Sequence, residues 1–259
     1  MVLLSCACSR QPRLVILHTN DTHSHLEPER STELAGHGGV IERAAIIDSV
    51  RAANGDDRVL LLHAGDFNQG SSYYSEMGGD VEVSLVNALG YDCITLGNHE
   101  FDNGIEDLGR RVSALNCPVV CANLDLSPFE GLECVKPYAI LNKGGMKIGI
   151  IGLEADLTEC VSKTTSSRIP QLDPVEVTNK WAEHLSKVEK CDLVVLLSHQ
   201  GYEEDQAIVA ASRGLDIVVG GHTHTFVDNI VYVKDLDGRK VGVVTDGCWG
   251  LEMGEVKIW

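Results

Sequence analysis

Leu96-Gly97-Asn98-His99-Glu100-Phe101-Asp102 follows the apolar run Cys93-Ile94-Thr95-Leu96 and precedes a helical pattern that starts near Gly104. A strand ending here would display Asn98 and His99 on a tight turn at its carboxyl edge, where open α/β sheets place their chemistry. An Asn beside a His is a weak signal alone. Its weight comes from what recurs along the chain.

Upstream, residues 13–19 read as a buried strand followed by Asn20-Asp21-Thr22-His23-Ser24-His25, and residues 58–64 read as a second strand running into Gly65-Asp66. Downstream, 192–198 is a strand ending in His199, and 216–219 leads into Gly220-Gly221-His222-Thr223-His224. The intervening periodicity predicts helices from Val40 to the Asn54-Gly55 stop (face Val40, Ala44, Ile47, Val50) and over about 80–89, 105–115 and 203–212. A further helix starts at Asp173-Pro174-Val175-Glu176, with Asp as cap and Pro in the first turn, and buries Val177, Trp181, Leu185 and Val188. Residues 138–153 predict a hairpin turning at Asn142-Lys143-Gly144-Gly145, and 154–172 a long polar loop. From 229 to 259 the pattern is that of β-hairpins around Asp237-Gly238. With no repeats or linkers, residues 13–259 read as one α/β domain.

Five apolar strands thus end in metal-ligand residue types: Asp21 and His23, Asp66, Asn98, His199, and His222 with His224. Singly, each has a bland reading as a turn residue, a helix cap or a hydrogen-bonded His. Recurrence at every buried strand end is hard to obtain by chance. Carboxylates and imidazoles with an amide oxygen and no thiolate suit Zn, Mn, Fe or Co. Seven donors exceed one tetrahedral centre but fit two adjacent ions if one carboxylate bridges, the usual device for attack on phosphorus.

In this order, Asp21-x-His23, Gly65-Asp66, Gly97-Asn98-His99-Glu100, His199 and Gly221-His222-x-His224 resemble the calcineurin-like metallophosphoesterases. Asn20-Asp21-Thr22-His23, Asn98-His99-Glu100-Phe101-Asp102 and Ser198-His199-Gln200-Gly201 narrow the resemblance to the catalytic domain of the 5′-nucleotidase/UDP-sugar hydrolase branch. It covers the chain from about Leu14 to the end. It implies a four-layer α/β/β/α sandwich with a dimetal site at the carboxyl edge of the strands. One metal would be held by Asp21, His23, Asp66 and His224, and the other by Asp66, Asn98, His199 and His222. A hydroxide between the ions would attack. His99 would face the phosphate and protonate the leaving oxygen, oriented by Asp102. His18, His37, His63 and His184 read as structural, with His25 the nearest to a supporting role.

The expected activity is hydrolysis of nucleotides or similar small phosphate esters. The alternatives are a phosphodiesterase or thiosulfate-ester hydrolase on the same scaffold, or a metal-holding subunit that needs a separately encoded domain. The chain stops at Trp259, where the second, nucleoside-binding domain of such nucleotidases would begin. A separate chain would then supply that domain, or the substrate would be different or smaller.

The formal net charge of −17 argues against a nucleic-acid groove, which needs a basic stripe. No stretch approaches the ~18 apolar residues of a membrane span. Nine cysteines show no metal-binding spacing. Cys117 and Cys121 lie roughly 13 Å apart if extended, too far for a disulfide, and most of the rest read as small buried hydrophobes. Residues 1–12, with Leu3-Leu4-Ser5-Cys6, read as the remnant of a lipoprotein signal. Lipid on Cys6 would tie the protein to a membrane surface in the periplasm or cell envelope; the alternative is an ordinary cytoplasmic N-terminus.

Overall fold

The computed structural model describes residues 11–30 and 32–259, so Cys6 and the lipidation signal lie outside the described residues. The strands, in chain order, are β1 (Leu14–Thr19), β2 (Val59–His63), β3 (Cys93–Thr95), β4 (Val119–Val120), β5 (Tyr138–Lys143) and β6 (Met146–Glu154). They continue as β7 (Leu193–His199), β8 (Ile217–Val219), β9 (Val231–Lys234), β10 (Lys240–Val244) and β11 (Gly254–Ile258). A five-stranded sheet has the order β11-β1-β2-β3-β4 and a six-stranded sheet the order β5-β6-β7-β8-β10-β9. β1 to β4 are parallel, as are β6, β7, β8 and β10; β5, β9 and β11 are antiparallel edges.

The period-two alternation of strand side chains divides the apolar residues among three interior layers. Leu14, Ile16, Leu60 and Leu62 point between the sheets and meet Ile148, Ile150, Val195, Leu197, Ile217 and Val219 of the other sheet. Val15, Leu17, Val59 and Leu61 point outward under Ile47 of helix Val40–Asn54 and Val83 and Val86 of helix Asp80–Leu89. On the far side Val194, Leu196 and Val218 pack on Val177 of helix Pro174–Glu183 and Ile208 and Val209 of helix Tyr202–Ala210. Each such side chain contributes roughly 1.5–3 kcal/mol on leaving water. The layer order is therefore helix, sheet, sheet, helix, and it aligns β1, β2, β3, β7 and β8 so that their carboxyl ends face one edge.

Several expectations need correction. The span 154–172 is not a bare loop: Asp156 accepts the Thr158 N–H at 2.9 Å and caps helix Leu157–Cys160, with a second short helix at Lys163–Ser166. Val188 is 65% exposed, although its spacing places it on the buried face. A π turn at His184–Val188, closed by Glu189 N–H on His184 O at 3.0 Å, adds a residue to the last turn and swings Val188 outward. The C-terminal alternation is only partly a hairpin. β9 and β10 pair around the predicted turn, but β11 crosses to the other sheet and pairs with β1. Helix Ser72–Met77, capped by Ser71, has no apolar period to reveal it. Cys117 and Cys121 are both free thiols, and Cys93, Cys121 and Cys248 are buried.

Candidate metal centre

The loops after β1, β2 and β8 fold back on the strand ends through left-handed backbone. Asp21 (φ 47°), His23 (φ 44°), Asp66 (φ 56°), His222 (φ 78°) and His224 (φ 53°) all lie there, in a chain whose described non-glycine residues take positive φ at nine positions. Such residues are uncommon and are kept only where surrounding contacts over-determine them. Here those contacts are backbone hydrogen bonds between loops. The Asp21, His23 and Ser24 N–H groups donate to Gly65 O, Asp66 O and Phe67 O, each at 3.0 Å. The His99 N–H donates to Asp66 Oδ1 and the His222 N–H to Asp21 Oδ2, both at 2.9 Å. Gly97 permits the tightest approach, since a Cβ there would collide with both Oδ1 and the backbone N of Asp66.

Six of the seven sequence-predicted ligands fall into clusters of converging donor atoms: Asp21, His23 and His224; and Asp66, His199 and His222. His23 and Asp66 also converge with His99. Nε2 of His23 and of His224 lie 2.9 Å apart, with Asp21 Oδ1 3.7 Å from the first and 3.4 Å from the second. His199 Nε2 lies 3.1 Å from Asp66 Oδ2, while its Nδ1 donates to Ala64 O at 2.6 Å. Asn98, the seventh, opens the turn Asn98–Phe101 directly after Gly97.

This donor set fits divalent cations. Asp21 Oδ1, Asn98 Oδ1 and His199 Nε2 are buried with no hydrogen-bond partner among the described residues. A buried polar atom left so costs about 1–3 kcal/mol unless something meets it. The protonation balance agrees. Burial opposes charge on His199, but Asp66 and Asp21 override it and hold the imidazole well above its ordinary value. Burial likewise pushes the Asp66 carboxyl up, and the imidazoles of His199, His23 and His99 hold it below its usual range. His224, hydrogen-bonded to Asp21 and then to Cys248, is raised to about 10. Clustered carboxylates that raise their histidines in this way demand positive charge, which bound cations supply.

The His99–Asp102 pair is of another kind. Nδ1 and Asp102 Oδ2 are 2.8 Å apart, both side chains are about one-third exposed, and the hydrogen bond to Asp102 raises the His99 pKa. Its ring meets that of His23 edge-on at 5.2 Å between centroids.

Sequence reasoning quotes Glu100 in its motif without assigning it work. The carboxylate is fully buried and accepts four N–H groups: Asp66 N at 2.8 Å, Gly97 N at 2.7 Å, Asn68 N at 3.2 Å and Asn68 Nδ2 at 3.1 Å. Burial, followed by the neighbouring Asp66, pushes its pKa up to about 7. It ties the loop after β2 to the turn after β3. Asn20 does the same between β1 and the last loop, donating to Asp21 Oδ2 at 2.7 Å and Gly247 O at 2.6 Å. His18 and His63 are structural, facing Asp246 at 2.6 Å and Thr22 Oγ1 at 3.1 Å. His25 stacks on Trp249, with centroids 5.1 Å apart and planes 13° from parallel.

Two packed sheets whose strand ends converge clustered carboxylates and imidazoles define a metal-dependent phosphoesterase. The Calcineurin-like phosphoesterase family model matches residues 14–226. The chain belongs to that family. It is similar to the snake venom 5′-nucleotidase of Gloydius brevicauda, 36% identical over 95% of this chain and 45% of the relative. Among solved structures it resembles a 5′-nucleotidase precursor from Thermus thermophilus (TM-score 0.86, 34% identity, 93% of this chain and 50% of that one). It also resembles the NAD nucleotidase of Haemophilus influenzae (TM-score 0.83, 30% identity, 93% and 46%). The chain spans about half the length of the curated relatives it matches.

Proposed function

We propose that this chain is the hydrolytic half of a two-metal phosphomonoesterase of 5′-nucleotidase type, acting on nucleotides or similar small phosphate esters. The observation that carries the reading is the convergence of two donor clusters, Asp21–His23–His224 and Asp66–His199–His222, beside a hydrogen-bonded His99–Asp102 pair. In this proposal Asp21, His23, Asp66 and His224 hold one ion and Asp66, Asn98, His199 and His222 the other, with Asp66 shared. Bound there, divalent ions of the Mn, Zn, Fe or Co type supply Lewis acidity and lower the pKa of water toward neutrality. The chain's own residues do the rest. Glu100 and Asn20 lock the ligand loops in register. Asp102 accepts the Nδ1 proton of His99, which keeps the imidazole cationic and leaves Nε2 to protonate the departing oxygen.

A separately encoded or contiguous nucleoside-binding domain belongs to the proposal, because the similar nucleotidases extend well beyond the matched half. So does a cell-envelope location, which rests on the reading of Leu3-Leu4-Ser5-Cys6 alone. The test is turnover of p-nitrophenyl phosphate, AMP and bis-p-nitrophenyl phosphate by Mn2+-loaded protein. Hydrolysis of the monoesters with little diester turnover is expected. Diester preference would overturn the monoesterase reading. Two bound metals with no turnover of any of the three would make the chain a metal-holding subunit.

A further inference from the structure

A groove of about 470 Å3 opens beside the metal-ligand loop, lined among others by Ser24, His25, Glu27, Arg30, Gly70 and Tyr73. Its inner end is at His23: a Cβ on Gly70 would stand 2.7 Å from His23 O and 3.3 Å from His23 Cβ. His23 is also the residue whose ring meets His99. A substituent on the oxygen that His99 is proposed to protonate therefore has this space within reach.

Two aromatic rings line the groove, and both are held. Tyr73 is 39% exposed, yet its hydroxyl donates to Glu27 Oε1 at 3.0 Å and its backbone N–H to Ser71 Oγ at 3.1 Å. His25 is backed by the stacked Trp249 ring, and its carbonyl accepts from the buried Arg43 Nη2 at 3.2 Å. Trp249 in turn takes a left-handed backbone (φ 63°), a costly conformation for so large a residue, and its N–H donates to Asp21 O at 2.7 Å. Strain of this kind, pinned to a metal-ligand residue and used to back a groove-lining ring, is the pattern of a built recognition surface.

The charge of the groove narrows its occupant. Its carboxylates are Glu27 and Glu29, its one guanidinium among the described residues, Arg30, is paired with Glu27, and no described lysine lines it. A leaving group bearing further phosphate would meet net negative charge there with no unpaired cation among the described residues to receive it.

We infer that this groove is the leaving-group subsite and selects planar, uncharged leaving groups, such as a nucleoside or an aryl alcohol, by stacking on Tyr73 and His25. The inference rests on the phosphomonoesterase reading, and its test keeps the two apart. Wild type, Tyr73→Ala and Tyr73→Phe, each metal-loaded, are compared on AMP and glycerol 3-phosphate, and adenosine binding is followed by titration calorimetry. Tyr73→Ala should raise KM for AMP about tenfold and weaken adenosine binding equally, the scale of one base–aromatic stack. Its kcat and its kinetics on glycerol 3-phosphate should stay within about twofold of wild type, and Tyr73→Phe should match wild type throughout. An equal change on both substrates, no change on AMP, or adenosine that fails to bind wild type would overturn the subsite. If wild type hydrolyses neither ester but binds adenosine in a Tyr73-dependent way, the groove stands and the hydrolytic reading falls.

Discussion

The ligand loops and the His99–Asp102 pair touch each other but are built on opposite terms. Asp21, His23, Asp66, His222 and His224 take left-handed backbone, and the cluster leaves buried acceptors unmatched. His99 and Asp102 follow one another on a right-handed turn (Asp102 φ −56°), one-third exposed and already hydrogen-bonded. The first arrangement stores strain and unmet polarity that a cation relieves. The second is complete on its own. The difference separates two tasks, holding metal and moving a proton, and predicts that mutation will divide them.

Asp66→Ala should give the largest effect. It removes the carboxylate placed among both clusters, so both metals should be depleted by elemental analysis and turnover should fall by about a thousandfold or more, as for groups that act as one unit. Two full equivalents of bound metal would show that Asp66 is not shared. His99→Ala should come next, with both metals retained and turnover of AMP reduced about 10²- to 10⁴-fold, the usual worth of a general acid. The loss should shrink on p-nitrophenyl phosphate, whose leaving oxygen needs less help. Metal loss in this variant would erase the distinction between cage and dyad.

Asp102→Asn should be the mildest. An ion pair this exposed is worth about 1 kcal/mol or less, so the rate at the optimum pH should drop by less than about tenfold. Its signature is in the pH profile. Asp102 raises the His99 pKa, and a general acid works while protonated, so activity is lost as pH rises through that pKa. Removing the carboxylate lowers the pKa and moves the alkaline limb of kcat to lower pH. An unmoved limb would assign that titration to another group.

The ligand positions are legible in the sequence because each follows an unbroken apolar run, and a buried parallel strand has a visible end. The helix start at Asp173-Pro174 is legible for a similar reason: the Asp173 side chain accepts the Glu176 N–H at 2.8 Å, as the local code requires. What the sequence hides depends on contacts between distant loops. Glu100 matters because three backbone N–H groups from two loops point at it, and nothing in its own neighbourhood says so. Arg43 lies on the apolar face of its helix, three residues after Val40 and four before Ile47, yet it is buried to hold the His25 carbonyl. Trp249 reads as part of a β-hairpin pattern, and only the fold brings it against His25.

Because β1, β2 and β3 bring Asp21, His23, Asp66 and Asn98 from one sheet while β7 and β8 bring His199, His222 and His224 from the other, the apolar layer between them acts as a spacer gauge. Ile16, Leu62, Val195 and Val219 touch no substrate, yet their bulk fixes how far apart the two jaws stand. Ion affinity is then a property of the whole interior, inherited from greasy side chains many residues away from any oxygen or nitrogen that grips the ion.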